Sequence, residues 1–171
     1  GKSAGGALNV GGDNIAIGKH ALSSATNTGG VVAIGFQAGS SVNSNDANLS
    51  VFIGYNAGVG VTSGEHNIYI GYNAGKDDST GNNNLAIGYA AFDETSNASS
   101  ENVYIGVGAG GGNDGASVSD HNVGIGRDAL GGATNGALRN TCLGSNAGVA
   151  ITSGDDNVHI GKGAGRSLAT G

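Results

Sequence analysis

Proline, methionine and tryptophan are missing from these 171 residues, and cysteine occurs once. A single Cys142 excludes a disulfide framework. Only 5% of the chain is aromatic and 12% charged, with a net charge of −6. No apolar run approaches the length of a membrane-spanning helix, and no signal peptide is present. No basic stripe is visible, so nucleic acid and anionic membranes are poor partners. The shortage of large apolar side chains argues against one thick globular core. Glycine is abundant, at 36 residues, but without a Gly-X-Y period, which excludes collagen. The apolar residues that remain recur in regular pairs, which argues against disorder.

Those pairs belong to a repeat. The stretch Asn67-Ile68-Tyr69-Ile70-Gly71-Tyr72-Asn73-Ala74-Gly75 states it, as N-φ-x-I-G-x-x-A-G with φ apolar. Copies occupy residues 14–22, 31–39, 50–58, 67–75, 84–92, 102–110, 122–130, 140–148 and 157–165. The chain opens on the tail of another copy and lacks a starting methionine, as expected of a piece of a longer protein. Counting from Gly1, the motif glycines are spaced by 17, 17, 19, 17, 17, 18, 20, 18 and 17 residues. Such a period is the signature of stacked structural repeats.

Each copy reads as a short strand and a turn. In Ile15-Ala16-Ile17, β-branched residues alternate with a small one, a period of two. The glycine that follows permits a positive φ and a tight corner. The alanine three residues later is small enough for the inside of a second, narrow strand. Polar linkers ending in Gly-x-x-Asn supply turn chemistry. The expected fold is all-β: one domain over residues 1–171, a parallel β-solenoid of about ten coils of 17–20 residues. At the inter-strand spacing its axis would run for roughly 45 Å. The expected core is Ile17, Ile34, Ile53, Ile70, Ile87, Ile105, Ile125, Leu143 and Ile160, with the φ residues beside them.

Stacking converts motif positions into columns. Seven of the nine copies begin with asparagine, which predicts an amide ladder. The position after the glycine carries Phe36, Tyr55, Tyr72 and Tyr89. The position between φ and isoleucine carries Phe52, Tyr69 and Tyr104. Both aromatic columns are expected to line surfaces, against another chain or facing solvent. Coils this thin bury little, so oligomerisation is expected.

Asn-Ile-Ala-Ile-Gly-Lys-His-Ala (14–21), Asn-Leu-Ala-Ile-Gly-Tyr-Ala-Ala (84–91) and Asn-Ile-Tyr-Ile-Gly-Tyr-Asn-Ala (67–74) resemble the head repeat of YadA-type trimeric autotransporter adhesins. They resemble still more the repeats of phage tail-fibre proteins. The resemblance covers essentially the whole chain and marks fold more specifically than function. It implies a left-handed β-roll and a homotrimer around a three-fold axis. The YadA-type repeat is shorter, and no heptad stalk, membrane anchor or chaperone domain lies in this segment.

Other motifs dissolve into the repeat. Gly106-Val107-Gly108-Ala109-Gly110-Gly111 imitates a dinucleotide fingerprint, but it sits in register and no helix follows. Gly1-Lys2-Ser3 imitates the end of a P-loop and shares its columns with Gly18-Lys19 and Gly161-Lys162. Glu65-His66 and Asp120-His121 recur just before the motif asparagine; in a trimer they could collect a metal, but they read better as exposed turns. Asp77, Asp78, Asp155 and Asp156 read as solubilising loop charges, and no catalytic set emerges.

The expected function follows. The chain is a non-enzymatic, structural and receptor-binding segment of a trimeric viral tail fibre, extracellular on the virion, without cofactor or bound metal. The alternative is the head of a bacterial trimeric adhesin on a cell surface. An ice-binding solenoid is a weaker third reading, because threonine is confined mostly to linkers. The expected partner is the chain itself, with a host-surface glycan or protein as receptor. The candidate binding surfaces are the tyrosine column, whose faces suit sugar rings if it is not packed between chains, and the two longest linkers, with Asn43, Asn45, Asp46, Asn48, Asn113, Asp114 and Asp120.

Overall fold

Nine three-residue strands form one parallel sheet in sequence order: β1 (Ile15–Ile17), β2 (Val32–Ile34), β3 (Val51–Ile53), β4 (Ile68–Ile70), β5 (Leu85–Ile87), β6 (Val103–Ile105), β7 (Val123–Ile125), β8 (Thr141–Leu143) and β9 (Val158–Ile160). This computed structural model describes residues 1–9, 11–43, 49–93, 98–112, 117–132 and 134–168. Register is kept throughout, with Val51 beside Ile68, Phe52 beside Tyr69 and Ile53 beside Ile70. Parallel neighbours one repeat apart in sequence make a β-solenoid, as the period predicts. Nine strands give about eight turns between them, rather than ten coils. Residues 1–9 add part of a coil without a strand: the Gly5 N–H donates to Ala21 O (2.8 Å), and Lys2 O accepts from His20 N–H (2.9 Å).

The strands are oriented opposite to the sequence expectation. Ile17, Ile34, Ile53, Ile70, Ile87, Ile105, Ile125, Leu143 and Ile160 do not form the core. They face outward with the φ residues, half-buried in mid-sheet and as much as 68% exposed at Ile160. The central residue of each strand points in, and Ala33, Phe52, Tyr69, Ala86, Tyr104 and Cys142 are all buried. Alternation assigns residues to two sides but not to inside or outside, and a shift of one residue exchanges them. A coil of 17 residues closes around a lumen about one side chain wide, so its strand contributes one inward residue, not two.

The opposite wall is the motif alanine, fully buried at Ala21, Ala38, Ala57, Ala74, Ala91, Ala109, Ala129 and Ala147. This segment is a turn rather than a second strand, yet its backbone still ladders. Gly58 N–H donates to Ala74 O (2.9 Å) and Gly75 N–H to Ala91 O (2.9 Å). The corner glycines are required sterically. Gly71 has φ +141°, and a Cβ there would lie 2.7 Å from the carbonyl carbon of Gly88 in the next coil.

The asparagine ladder runs inside the wall. Asn67, Asn84, Asn102, Asn122 and Asn140 are buried. Each Oδ1 accepts the main-chain N–H of the next asparagine: Asn84 N–H to Asn67 (2.9 Å), Asn102 to Asn84 (3.0 Å) and Asn122 to Asn102 (2.9 Å). Each Nδ2 reaches a linker carbonyl, as from Asn67 to Gly81 (2.7 Å) and from Asn84 to Ser99 (2.7 Å). The ladder therefore fastens each strand entry to a neighbouring linker, satisfying backbone groups that would otherwise be buried unpaired.

Candidate functional site

Just past each corner glycine, the chain presents one residue outward. Backbone bonds lock this position into a column. Lys2, Lys19, Phe36, Tyr55, Tyr72, Tyr89, Val107, Arg127 and Ser145 each offer a carbonyl to an N–H in the following coil, at 2.8–3.0 Å. Lys162 takes the same place in the last coil. The residue after each holds a left-handed φ, for instance Asn56 (55°) and Asn73 (56°), which turns the chain back inward while the column residue stays outside.

The rings stack on one another. Phe36 and Tyr55 lie 4.8 Å apart at 14°, Tyr55 and Tyr72 5.2 Å at 9°, and Tyr72 and Tyr89 5.2 Å at 5°. Lys19 Nζ stands 5.6 Å from the Phe36 centroid, and the His20 ring meets Phe36 edge-on. Tyr55, Tyr72 and Tyr89 are 45%, 45% and 58% exposed, so this column does line the surface of the chain. Most ring faces, however, are consumed by the stack. Between the two ends of the stack, what reaches solvent is a row of edges, and both faces of Tyr55 and Tyr72 are taken up by neighbouring rings.

The second aromatic column is not at the surface. Phe52, Tyr69 and Tyr104 are buried in the lumen, with Phe92 between the last two. Their rings form a continuous internal run: Phe52–Tyr69 at 5.8 Å, Tyr69–Phe92 at 6.3 Å and Phe92–Tyr104 at 5.2 Å. The same strand phase that turns isoleucine out turns these rings in. Asp78 also departs from expectation, being fully buried rather than a loop charge. It stands three residues before the linker glycine Gly81, where other coils place Val61 and Ile151. Tyr69 Oη donates to Asp78 Oδ2, and Gly81 N–H donates to Oδ1 at 2.9 Å. Burial pushes the Asp78 carboxyl up to about 6, against the opposing pull of those bonds. It also holds the Tyr69 phenol well above its ordinary range.

The linker candidates divide. Asn43 is exposed, and its N–H donates to Thr62 O (3.3 Å). Asp120 is half-buried and accepts the Ser100 N–H at 2.6 Å, which is fold maintenance. Asn45, Asp46, Asn48, Asn113 and Asp114 lie outside the described residues. His121 Nδ1 pairs with Glu101 of the preceding coil at 3.0 Å, and His66 approaches Glu65 at 3.7 Å. Arg139 grips Asp156 with two bonds, at 2.6 and 2.9 Å, which holds that carboxyl below its usual range. Among the described residues, no three His, Cys, Asp or Glu side chains converge as a metal set.

One feature escapes a linear reading. The outward strand residues, aliphatic except for Thr141, make a partly exposed face across all nine strands. Lys2, Lys19 and Lys162 share one column, as the repeat predicts, and with Arg127 they stand toward the two ends of the tyrosine column. Their common place just after the motif glycine is the signal that reveals it. No protein-family model, curated protein or solved structure matches the chain.

Proposed function

We propose that the chain is a structural and receptor-binding segment of a homotrimeric fibre of the phage tail-fibre type, extracellular on the virion and attaching it to a host cell surface. The head of a bacterial trimeric adhesin shares this assembly and is the alternative. In this reading the chain is a rod and a platform, not an enzyme. The observation that carries the reading is the largely aliphatic outer face of β1–β9. Its two outward columns alternate across strands that span about 38 Å along the axis. In mid-sheet Ile68 and Ile125 are each 39% exposed on it and the other outward residues are half-buried, while Ile15, Ile17, Val158 and Ile160 on the end strands are more exposed. Contiguous apolar surface on this scale marks an interaction site. A straight, repetitive face fits another copy of itself, and cyclic symmetry closes such contacts without leaving an open edge. The resemblance of the repeat supports three copies rather than two.

Ice binding has little support, since Thr141 is the one threonine among the eighteen outward strand positions. The deciding measurement is solution mass by light scattering. Three times 16.4 kDa, about 49 kDa, is expected. Replacing Ile53 and Ile87 together by glutamate should dissociate the assembly while the chain keeps its β circular dichroism. A monomeric parent chain would sink the fibre reading.

A further inference from the structure

We infer that the column of stacked tyrosines and flanking cations is a binding strip for an extended acidic polysaccharide lying along the solenoid axis. The first observation is charge. Four of the chain's seven Lys and Arg residues occupy this one column, and no Asp or Glu does, in a chain of net charge −6. All four are exposed, and among the described residues none is in an ion pair. The adjacent left-handed column holds one acid, Asp128, near the Arg127 end. The strip is thus cationic at both ends and phenolic in the middle, on an otherwise acidic molecule.

The second observation is the mode of stacking. Single-stranded nucleic acid, the other linear polyanion, binds by laying bases on aromatic faces. Here six of the eight ring faces are covered by neighbouring rings 4.8–5.2 Å away, which leaves no gap between rings for a base. The exposed elements are ring edges and the hydroxyls of Tyr55, Tyr72 and Tyr89, repeating once per coil. Phenol hydroxyls both donate and accept, which suits the hydroxyls and carboxylates of sugars. An extended 1,4-linked polyuronate advances per sugar by nearly the coil spacing, so its sugars and the tyrosines repeat on a common length scale. Lys19 beside Phe36, and Arg127 one coil beyond Val107 at the other end, supply charge-assisted bonds to its carboxylates. A ligand of this form gains affinity by repetition along one strip and, in an assembly, across copies.

The inference refines the receptor-binding half of the fibre reading and needs the strip uncovered in the assembled protein. Its test is calorimetric titration of the chain with oligogalacturonates long enough to cover the strip. A neutral glucan of equal length and an oligothymidylate serve as the other arms. Binding by oligogalacturonate alone is expected, weakening as salt is added. Tyr72→Phe, which keeps the stack and removes one hydroxyl, should weaken it several-fold. Lys19→Gln with Arg127→Gln should weaken it by roughly tenfold or more. Equal binding of the glucan, tighter binding of the oligothymidylate, no binding at all, or indifference to both variants would overturn the proposal. Light scattering of Tyr72→Ala separates the two readings. An unchanged mass is expected; dissociation would make the column a subunit contact, ending the strip proposal while leaving the fibre reading intact.

Discussion

A Cβ on Gly58 would lie 2.5 Å from Cε1 of Phe52, six residues earlier in the same coil, and closer still to Cδ1. The two positions share one volume. Where the inward strand residue is large, the motif ends in glycine: Phe52 with Gly58, Tyr69 with Gly75, Tyr104 with Gly110. Where it is small, the motif ends in a large residue: Ala16 with Leu22, Ala86 with Phe92, Gly124 with Leu130. Ala33 with Gly39 is small at both, and the space is filled from neighbouring coils by Phe52 and Leu22. In most coils one large side chain, from either position, thus fills the lumen, and where both are small neighbouring side chains reach in, as close packing requires.

That reciprocity predicts a rescue. Phe52→Ala should cost about 3–5 kcal/mol through the cavity it leaves. Gly58→Leu should be worse, because the ring has nowhere to go. The double variant should recover most of the loss. Leu22 and Leu130 already adopt φ of 48° and 50° at the equivalent position, so the backbone there accepts leucine. Thermal denaturation of the four proteins checks it; additive losses would refute the shared volume.

The buried carboxyl of Asp78 predicts an inverted acid response. Its folded value, about 6, lies above the unfolded 3.8. The folded state therefore holds the proton longer. Stability from this group is full below about pH 4, falls as pH rises to about 6, and is level above. The total is about 3 kcal/mol, at 1.36 per unit. Urea midpoints between pH 4 and 7.5 should show this slope in the parent chain and lose it in Asp78→Asn. Replacing Tyr69 and Asp78 together by phenylalanine and valine should abolish the slope as well, since the titrating group is gone, while leaving the buried Gly81 N–H without its acceptor. A parent chain that gains stability across that window would contradict the assignment.

Asn102 predicts a cost set by position. Asn102→Ala strips the acceptor from Asn122 N–H (2.9 Å) and the donor from Ser119 O (2.9 Å), both buried. The expected loss is about 2–4 kcal/mol. Asn157, only partly buried, should cost less than half of that on the same substitution. Hydrogen exchange at the Asn122 amide would report the local opening, and equal losses at both sites would argue against the ladder.

Cys142 should be inert in the folded chain. It is buried, and burial pushes its thiol up to about 11. At pH 8 iodoacetamide should label it only as fast as the chain opens, and promptly in denaturant. Rapid native labelling would mean the lumen breathes at β8.

The repeat itself carried much of this architecture in the open. Glycines every 17 to 20 residues dictate stacked coils, because a fixed period places like residues in columns whatever their side chains do. The corner at Gly71, the buried alanine wall and the asparagine ladder follow from residue type alone: no Cβ, small volume, an amide able to bond in two directions. Even the exchange of volume between Phe52 and Gly58 is written in the chain, as a correlation six residues apart. What only the tertiary structure decided is which side of each strand faces in. Ile-Tyr-Ile alternates equally well in either phase, and hydrophobicity favours burying the two isoleucines. The closed coil reverses that choice because its lumen admits one side chain per strand. With that single reversal Tyr69 goes inside, Asp78 gains a buried partner, and the isoleucines become an outer face. The tyrosine stack depended on the same closure, since ring faces cover one another only once the coils are brought to hydrogen-bonding distance.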